Sequence, residues 1–274
     1  MTDLTSSDDP EVVRLAVEAA QQHYQAGRLT LAAAILQPLV AKPDGDGLPK
    51  PVQAKPLELY GQVLHDLARP IEAADAIEKA SLVAPIGDPA RIALASCYAE
   101  LRRDDLAREL YLQLALSRRL PAELMLQVAA GLAAIDSPQL AMQVCEWVIE
   151  INDSFPQAYY DMGSYSIRCG QPLYMAEALT RRALQLDPAN IHYRFGLVAL
   201  IIQLNREDEA LQALGDLTPQ KVEQVTCASC LGRVAGMLDR LGKRELATVC
   251  QQRADQLNAR QATEFRGIKE GNQP

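Results

Sequence analysis

Side chains that could do chemistry are few and scattered in this 274-residue chain. The tightest cluster is Cys227-Ala-Ser-Cys230, two thiols at a spacing that zinc sites and redox dithiols both use. A zinc site wants a second pair at matching spacing, and Cys97, Cys145, Cys169 and Cys250 do not supply one. A redox centre of the usual kind wants a strand leading into a helix, and the surrounding pattern lacks the strand. Two small residues packing a helix account for the pair, with thiols acidified if they cap that helix. Asp44-Gly-Asp46-Gly opens like a calcium loop, but Leu48 and Lys55 stand where later ligands belong, so the cage fails. His23, His65 and His192 are too dispersed for a metal site. No glycine-rich phosphate loop, His-Glu-x-x-His run or nucleophile elbow occurs. The reading is a non-catalytic chain with no metal and no cofactor.

Composition then limits which elements could position these residues. The chain is 49% hydrophobic but only 5% aromatic, which favours helices packed through small side chains over β-sandwiches. A net charge of −8 sets nucleic acid aside, because a phosphate backbone demands surplus Lys and Arg. The first ten residues are acidic where a signal peptide is basic and then apolar. No apolar run exceeds the eight residues of Phe195 to Ile202, against roughly 20 for a membrane span. A cytoplasmic location with reduced thiols is expected.

Self-similarity organises the rest. Ala73, Ala107, Ala141, Ala176 and Ala210 follow one another at steps of 34, 34, 35 and 34, and Ala32 and Ala247 extend the series. About twelve residues before each alanine stands Ala20, Gly61, Ala95, Ala129, Gly163, Val198 or Ala235, six of them small. Seven residues after each comes an apolar side chain: Leu39, Ala80, Leu114, Val148, Ala183, Leu217 or Ala254. Each unit reads as two amphipathic helices with a turn between them. Gly27, Asp136, Gly170, Asn205 and Gly242 mark turns, being residues that tolerate the left-handed conformation at a helix end. Paired small residues such as Ala95 and Ala107 are what two closely approaching helices need at their contact.

These residues resemble the tetratricopeptide repeat family. Repeat three offers Leu94-Ala95, Tyr98, Ala107 and Tyr111, and repeat five offers Tyr159, Met162-Gly163, Gly170, Ala176, Ala183 and Pro188 with one extra residue near Pro172. The resemblance implies an all-α fold, a right-handed α-solenoid of antiparallel helix hairpins with about seven repeats and about fourteen main helices. Residues 1–10 form an N-terminal tail, 11–258 a single solenoid, and 259–274 a C-terminal tail. The surplus of length at 42–56 is a Pro/Gly-rich loop, and a second surplus falls near Gly215-Asp216-Leu217-Thr218-Pro219.

The family lines its concave face with the first helix of each hairpin, and register transfers that face to this chain. Repeats one and two contribute Arg14, Val17, Glu18 and Lys55. The binding groove is placed in repeats four to six, at Leu126, Ala130, Tyr160, Asp161, Ser164, Arg168, His192, Phe195 and Gln203. Tyr160 and Phe195 occupy the same repeat position and form an aromatic floor with a polar surround. The Lys and Asn set by which some members hold the C-terminal tails of cytosolic chaperones is absent from every run of three repeats. The expected role is an adaptor or scaffold that holds a peptide or helix of a partner protein. A structural subunit or self-assembling scaffold is the alternative, homo-oligomers included, and a chaperone-like helper before assembly or secretion is the third.

Overall fold

A computed structural model describes residues 10–41 and 51–270, with the side chains of 261 and 263–270 left out. Residues 1–9, the core of the expected loop with Asp44 and Asp46, and 271–274 lie outside the described residues. Fifteen α-helices and no strand occur among the described residues. Fourteen make seven hairpins: α1 (Pro10–Gln25) with α2 (Leu29–Val40), α3 (Ala54–Asp66) with α4 (Pro70–Val83), α5 (Asp88–Glu100) with α6 (Asp104–Leu116), and α7 (Ala122–Ala134) with α8 (Pro138–Ile151). Then come α9 (Pro156–Arg168) with α10 (Leu173–Leu186), α11 (Ile191–Gln203) with α12 (Glu207–Leu214), the short α13 (Pro219–Glu223), and α14 (Ala228–Arg240) with α15 (Arg244–Glu270). The fifteenth helix is α13, which takes up the surplus read at 215–219. It starts on the Thr218 hydroxyl, which accepts the Lys221 N–H at 3.4 Å.

Every hairpin closes with the same turn. Gly27, Ala68, Arg102, Asp136, Gly170, Asn205 and Gly242 all have positive φ, between 54° and 74°. In the first, Gly27 N–H bonds Tyr24 C=O at 2.9 Å and Arg28 N–H bonds His23 C=O at 2.9 Å. The other six repeat both bonds at matching positions, so the last carbonyls of each first helix are satisfied before the chain reverses. The sequence marks five of these turns. Ala68 and Arg102 carry no such mark, and they hold a conformation that costs an L-residue about 1–2 kcal/mol.

The coupled small positions are the contacts that the turns bring together. All seven alanines of the series and all seven of their partners are buried. A Cβ placed on Gly61 would stand 3.1 Å from the Ala73 carbonyl oxygen and 2.3 Å from Ile77 Cγ1. One on Gly163 would stand 3.3 Å from the Ala176 carbonyl oxygen. At these two hairpins the alanine step is therefore the trace of close approach to the facing helix backbone, and at all seven it marks a buried contact.

The chain divides into two compact units, Met1–Val144 and Cys145–Pro274, where the sequence reading has one solenoid over 11–258. The division falls inside α8. Repeat stacks in general hold together by nearest-neighbour contact. In the first unit, first helices touch first helices in the order α1, α3, α5, α7, with α2, α4 and α6 packed on them. Its middle core gathers Leu64, Ala73, Ile77, Ala90, Leu94 and Cys97. In the second unit, Phe195, Leu197, Ile201, Leu214, Val222, Leu231 and Leu238 share one core.

Two boundaries differ from the sequence reading. The loop expected to run to Pro56 gives way to a 3-10 turn at Pro51–Gln53, and α3 starts at Ala54. Pro56 fits the first helical turn because the N–H it lacks has no helical acceptor there. The segment read as a C-terminal tail is helical as far as Glu270. Beyond Ala254, the described side chains are exposed except for Leu257, which is partly buried. Extending a helix that packing has already nucleated requires no second nucleation.

The hairpin contact predicts opposite outcomes for two glycines. Gly61→Ala should destabilise by about 1–3 kcal/mol, because overpacking against Ala73 and Ile77 outweighs the helix propensity gained. Gly232→Ala in α14, whose Cβ meets nothing within 4 Å, should stabilise by about 1 kcal/mol. Urea midpoints that moved in the same direction for both would contradict the contact.

Candidate binding site

Seven of the nine expected groove residues lie in the second unit, on α9 and α11. Helix α9 starts at Pro156, whose missing N–H costs nothing at a first helical position. It carries Tyr160, Asp161, Ser164 and Arg168. Helix α11 is capped by Asn190, whose side-chain oxygen accepts the N–H groups of His192 at 3.0 Å and Tyr193 at 3.4 Å. It carries His192, Phe195 and Gln203.

An aromatic pair joins the two helices, with a different partner from the one the register implied. Tyr160 packs on Tyr193, ring centroids 4.9 Å apart and planes inclined at 39°. Its ring lies on Gly196, where a Cβ would come within 2.7 Å of Cε2. The absent side chain at 196 is what lets Tyr160 lie across α11. From the pair a polar chain runs back to α9. Tyr193 Oη donates to Gln157 Oε1 at 2.8 Å, and Gln157 Nε2 donates to Asp161 Oδ1 at 2.7 Å. Burial pushes the Asp161 carboxyl up to about 6, against a smaller downward pull from the Gln157 bond. Burial likewise pushes Tyr160 well above the usual phenol range and Tyr193 up to about 12.

The polar surround is dispersed. Ser164, Arg168 and Gln203 are exposed. Gln203 Nε2 bonds back to Ala199 C=O at 3.3 Å, within its own helix. His192 Nδ1 lies 3.4 Å from Thr226 Oγ1, just ahead of α14.

Phe195 requires correction: it is fully buried in the second unit's core and does not form a groove floor. The reason is α11 itself, whose residues from Phe195 to Ile201 are all buried. A helix apolar on every side is enclosed on every side. Leu126, on α7 in the first unit, is likewise buried, while Ala130 on the same helix is exposed. The sequence reading missed Tyr193, and it placed Gln157 and Gly196 on the inner face by register without including them in the groove. A glycine at the inner position after Phe195, one repeat on from a tyrosine, was the available signal for close ring packing.

In the first unit, Arg14, Val17, Glu18 and Lys55 line a shallow cleft of about 370 Å³ together with Pro10, Val13, Val52 and Pro56. Arg14 is held by Glu11 at 2.6 Å and Glu18 at 2.5 Å, and Lys55 by Glu58 at 2.7 Å. These charges are spent on one another, which leaves an apolar floor. Among the described residues no group of three or more His, Cys, Asp or Glu side chains could hold a metal ion. No helix among them is long and apolar enough to cross a membrane.

The fold is that of tetratricopeptide-repeat proteins. A tetratricopeptide repeat protein from Parabacteroides merdae superposes with a TM-score of 0.65 at 15% identity, covering 90% of this chain and 93% of that one. PilF of Pseudomonas aeruginosa superposes with a TM-score of 0.55 at 15% identity, covering 78% of this chain and 97% of that one. No protein-family model matches the chain, and no curated protein does.

Asp161 gives the site a pH signature. The unfolded chain loses this proton near pH 4, whereas the folded chain keeps it to about 6. The protonated carboxyl thus supports folding in acid, and that support is lost as pH rises through about 6. Asp161→Asn keeps an acceptor for Gln157 and should raise stability by about 2 kcal/mol at about pH 7.5, with little change at about pH 4. Urea midpoints shifted equally at the two pH values would show an ordinary carboxyl.

Proposed function

We propose that the protein is a non-catalytic interaction module whose first-helix face in the second unit holds a peptide or helix of a protein partner. One observation carries the reading. Asp161 places a partly buried carboxyl on an inner helix, where loss of water disfavours its charged form, with an amide chain orienting it and no cation bonded to it among the described residues. Groups held against stability mark working sites more often than structural ones. A donor on the partner, an ammonium, guanidinium or backbone amide, would complete its hydrogen bonds. Tyr160 would supply apolar area beside it, in the manner of interface anchors. Ser164, Arg168, His192 and Gln203 form the rim, and Ala130 with the edge of Leu126 offers a separate apolar contact on the first unit. The tetratricopeptide fold supports protein binding in general, and a cytoplasmic setting accords with the reduced thiols that the sequence implies.

A second reading, a structural subunit or self-assembling scaffold, draws on a different surface. Ile71 and Leu82 on α4 and Leu106 and Leu116 on α6 are exposed large apolar side chains repeated from one hairpin to the next in the first unit. Such a surface has a reason to exist if another chain covers it.

Ser164 is exposed and Ser164→Arg should leave the melting temperature unchanged. It should weaken capture of partners from the native cell at least about tenfold, a change of about 1.4 kcal/mol. Asp161→Asn should weaken capture while raising stability. If neither variant affects capture, but Leu82→Glu with Leu116→Glu abolishes it or dissociates a homo-oligomer, the second reading replaces the first.

A further inference from the structure

The Cys227 and Cys230 thiols sit differently from every other cysteine in the chain. Cys227 is the N-cap of α14, where its sulfur accepts the Cys230 N–H at 3.3 Å and lies 3.3 Å from Ser229 Oγ. Cys230 follows three residues later, within the first turn of the same helix. The exposures are unequal: Cys227 is partly open to solvent, whereas Cys230 is 9% exposed. Cys227 is therefore the more accessible of the two to a reagent in solution. No strand precedes the helix, so the thioredoxin-like context that the sequence reading required is absent. The thiol arrangement that such a context normally delivers is produced here by a helix cap alone.

We propose that Cys227 and Cys230 form a thiol–disulfide exchange site for low-molecular-weight disulfides, with Cys227 as the attacking sulfur and Cys230 as the resolving one. The Cys230 thiol foremost, then the Ser229 hydroxyl and the backbone N–H groups of the first turn, hold Cys227 below the usual thiol range and favour its thiolate. Hydrogen bonding to Cys227, then burial and the neighbouring Cys227 charge, push the Cys230 thiol up and keep it protonated until it is needed. The Cys227 thiolate attacks one sulfur of the disulfide R–S–S–R. That S–S bond breaks, Cys227–S–S–R forms, and RS⁻ leaves and takes a proton. The Cys230 thiol then gives up its proton, its sulfur attacks Cys227 Sγ, and the second RS⁻ leaves with that proton. Two protein thiols are oxidised to one disulfide, and one R–S–S–R is reduced to two RSH.

The other cysteines lack this arrangement. Cys97, Cys145 and Cys250 are buried, and burial pushes Cys97 up to about 12, Cys250 up to about 11 and Cys145 still higher. Cys169 is partly exposed but has no second thiol three residues away. Oxidation would also act locally, because a disulfide sulfur is a poorer acceptor for the α14 cap than a thiolate.

The test uses the full chain in mixtures of oxidised and reduced glutathione, quenched with acid and alkylated. Both thiols fall in one tryptic peptide, residues 222–233, which contains no other cysteine. That peptide should lose two hydrogens and escape alkylation as the mixture becomes oxidising. Cys230→Ser should trap glutathione on Cys227, and Cys227→Ser should abolish both products. At neutral pH iodoacetamide should label Cys227 about tenfold faster than Cys169. Circular dichroism confirms that each variant folds. The proposal fails if the 222–233 peptide never links, if glutathione collects on Cys169 instead, or if stoichiometric zinc protects both thiols.

Discussion

Close approach of two helix backbones within each hairpin is the constraint on which the rest of the molecule depends. A partner such as Gly61 brings its own backbone so near the Ala73 carbonyl that a single methyl group would intrude. Once that contact is fixed, the turn can be only a few residues long, and all seven turns adopt the same pair of hydrogen bonds. The repeat length follows from the two helices and that turn. The direction in which each first helix presents its remaining faces follows in turn. Two insertions, one ahead of α3 and one holding α13, change the spacing between hairpins without touching the contact inside any of them.

Much of this was legible in the sequence because the contact is made by residue size, and size is written directly in the residue type. The buried alanines and their small partners stand where the spacing placed them. Glycine, aspartate and asparagine turns were legible for the same reason. Ala68 and Arg102 were not, because there the hairpin contact forces the backbone into a conformation that the residue itself disfavours. Phe195 shows the opposite failure. Register assigns it to the inner face, but its neighbours through Ile201 are apolar on every side of the helix, and enclosure overrides register. The Tyr160–Tyr193 pair depends on an absent side chain at Gly196, a kind of information that a search for chemically active residues passes over. The helical extension of α15 had no signal of its own, since its exposed residues pack on nothing that would set a pattern.

Within the second unit two neighbouring regions pull ionisable groups in opposite directions. At Asp161 loss of water dominates and the charged form is disfavoured. At Cys227 a helix terminus and its hydrogen bonds outweigh a similar loss of water, and the charged form is favoured. Tyr160 lies near both. The contrast comes from where each residue falls on its helix: Asp161 sits mid-helix with its backbone donors already spent, whereas Cys227 sits at an end with free donors ahead of it. A repeat fold places many helix ends near one another, so it can supply either environment without a specialised domain.

The strained turns at Ala68 and Arg102 lie in adjacent hairpins of the first unit, and no such strain occurs at the four turns formed by glycine or asparagine in the last three hairpins and the first. In a stack held by nearest-neighbour contacts, strain in a connection is not shared across the whole chain. Opening that releases the backbone is therefore favoured at these two reversals over the glycine ones, and the amides it would expose, Arg69 and Arg103, should exchange with solvent ahead of their counterparts Gln171 and Lys243. The molecule thus carries a built-in difference in local opening, set by two residues whose Cβ atoms crowd a bend that glycine makes freely.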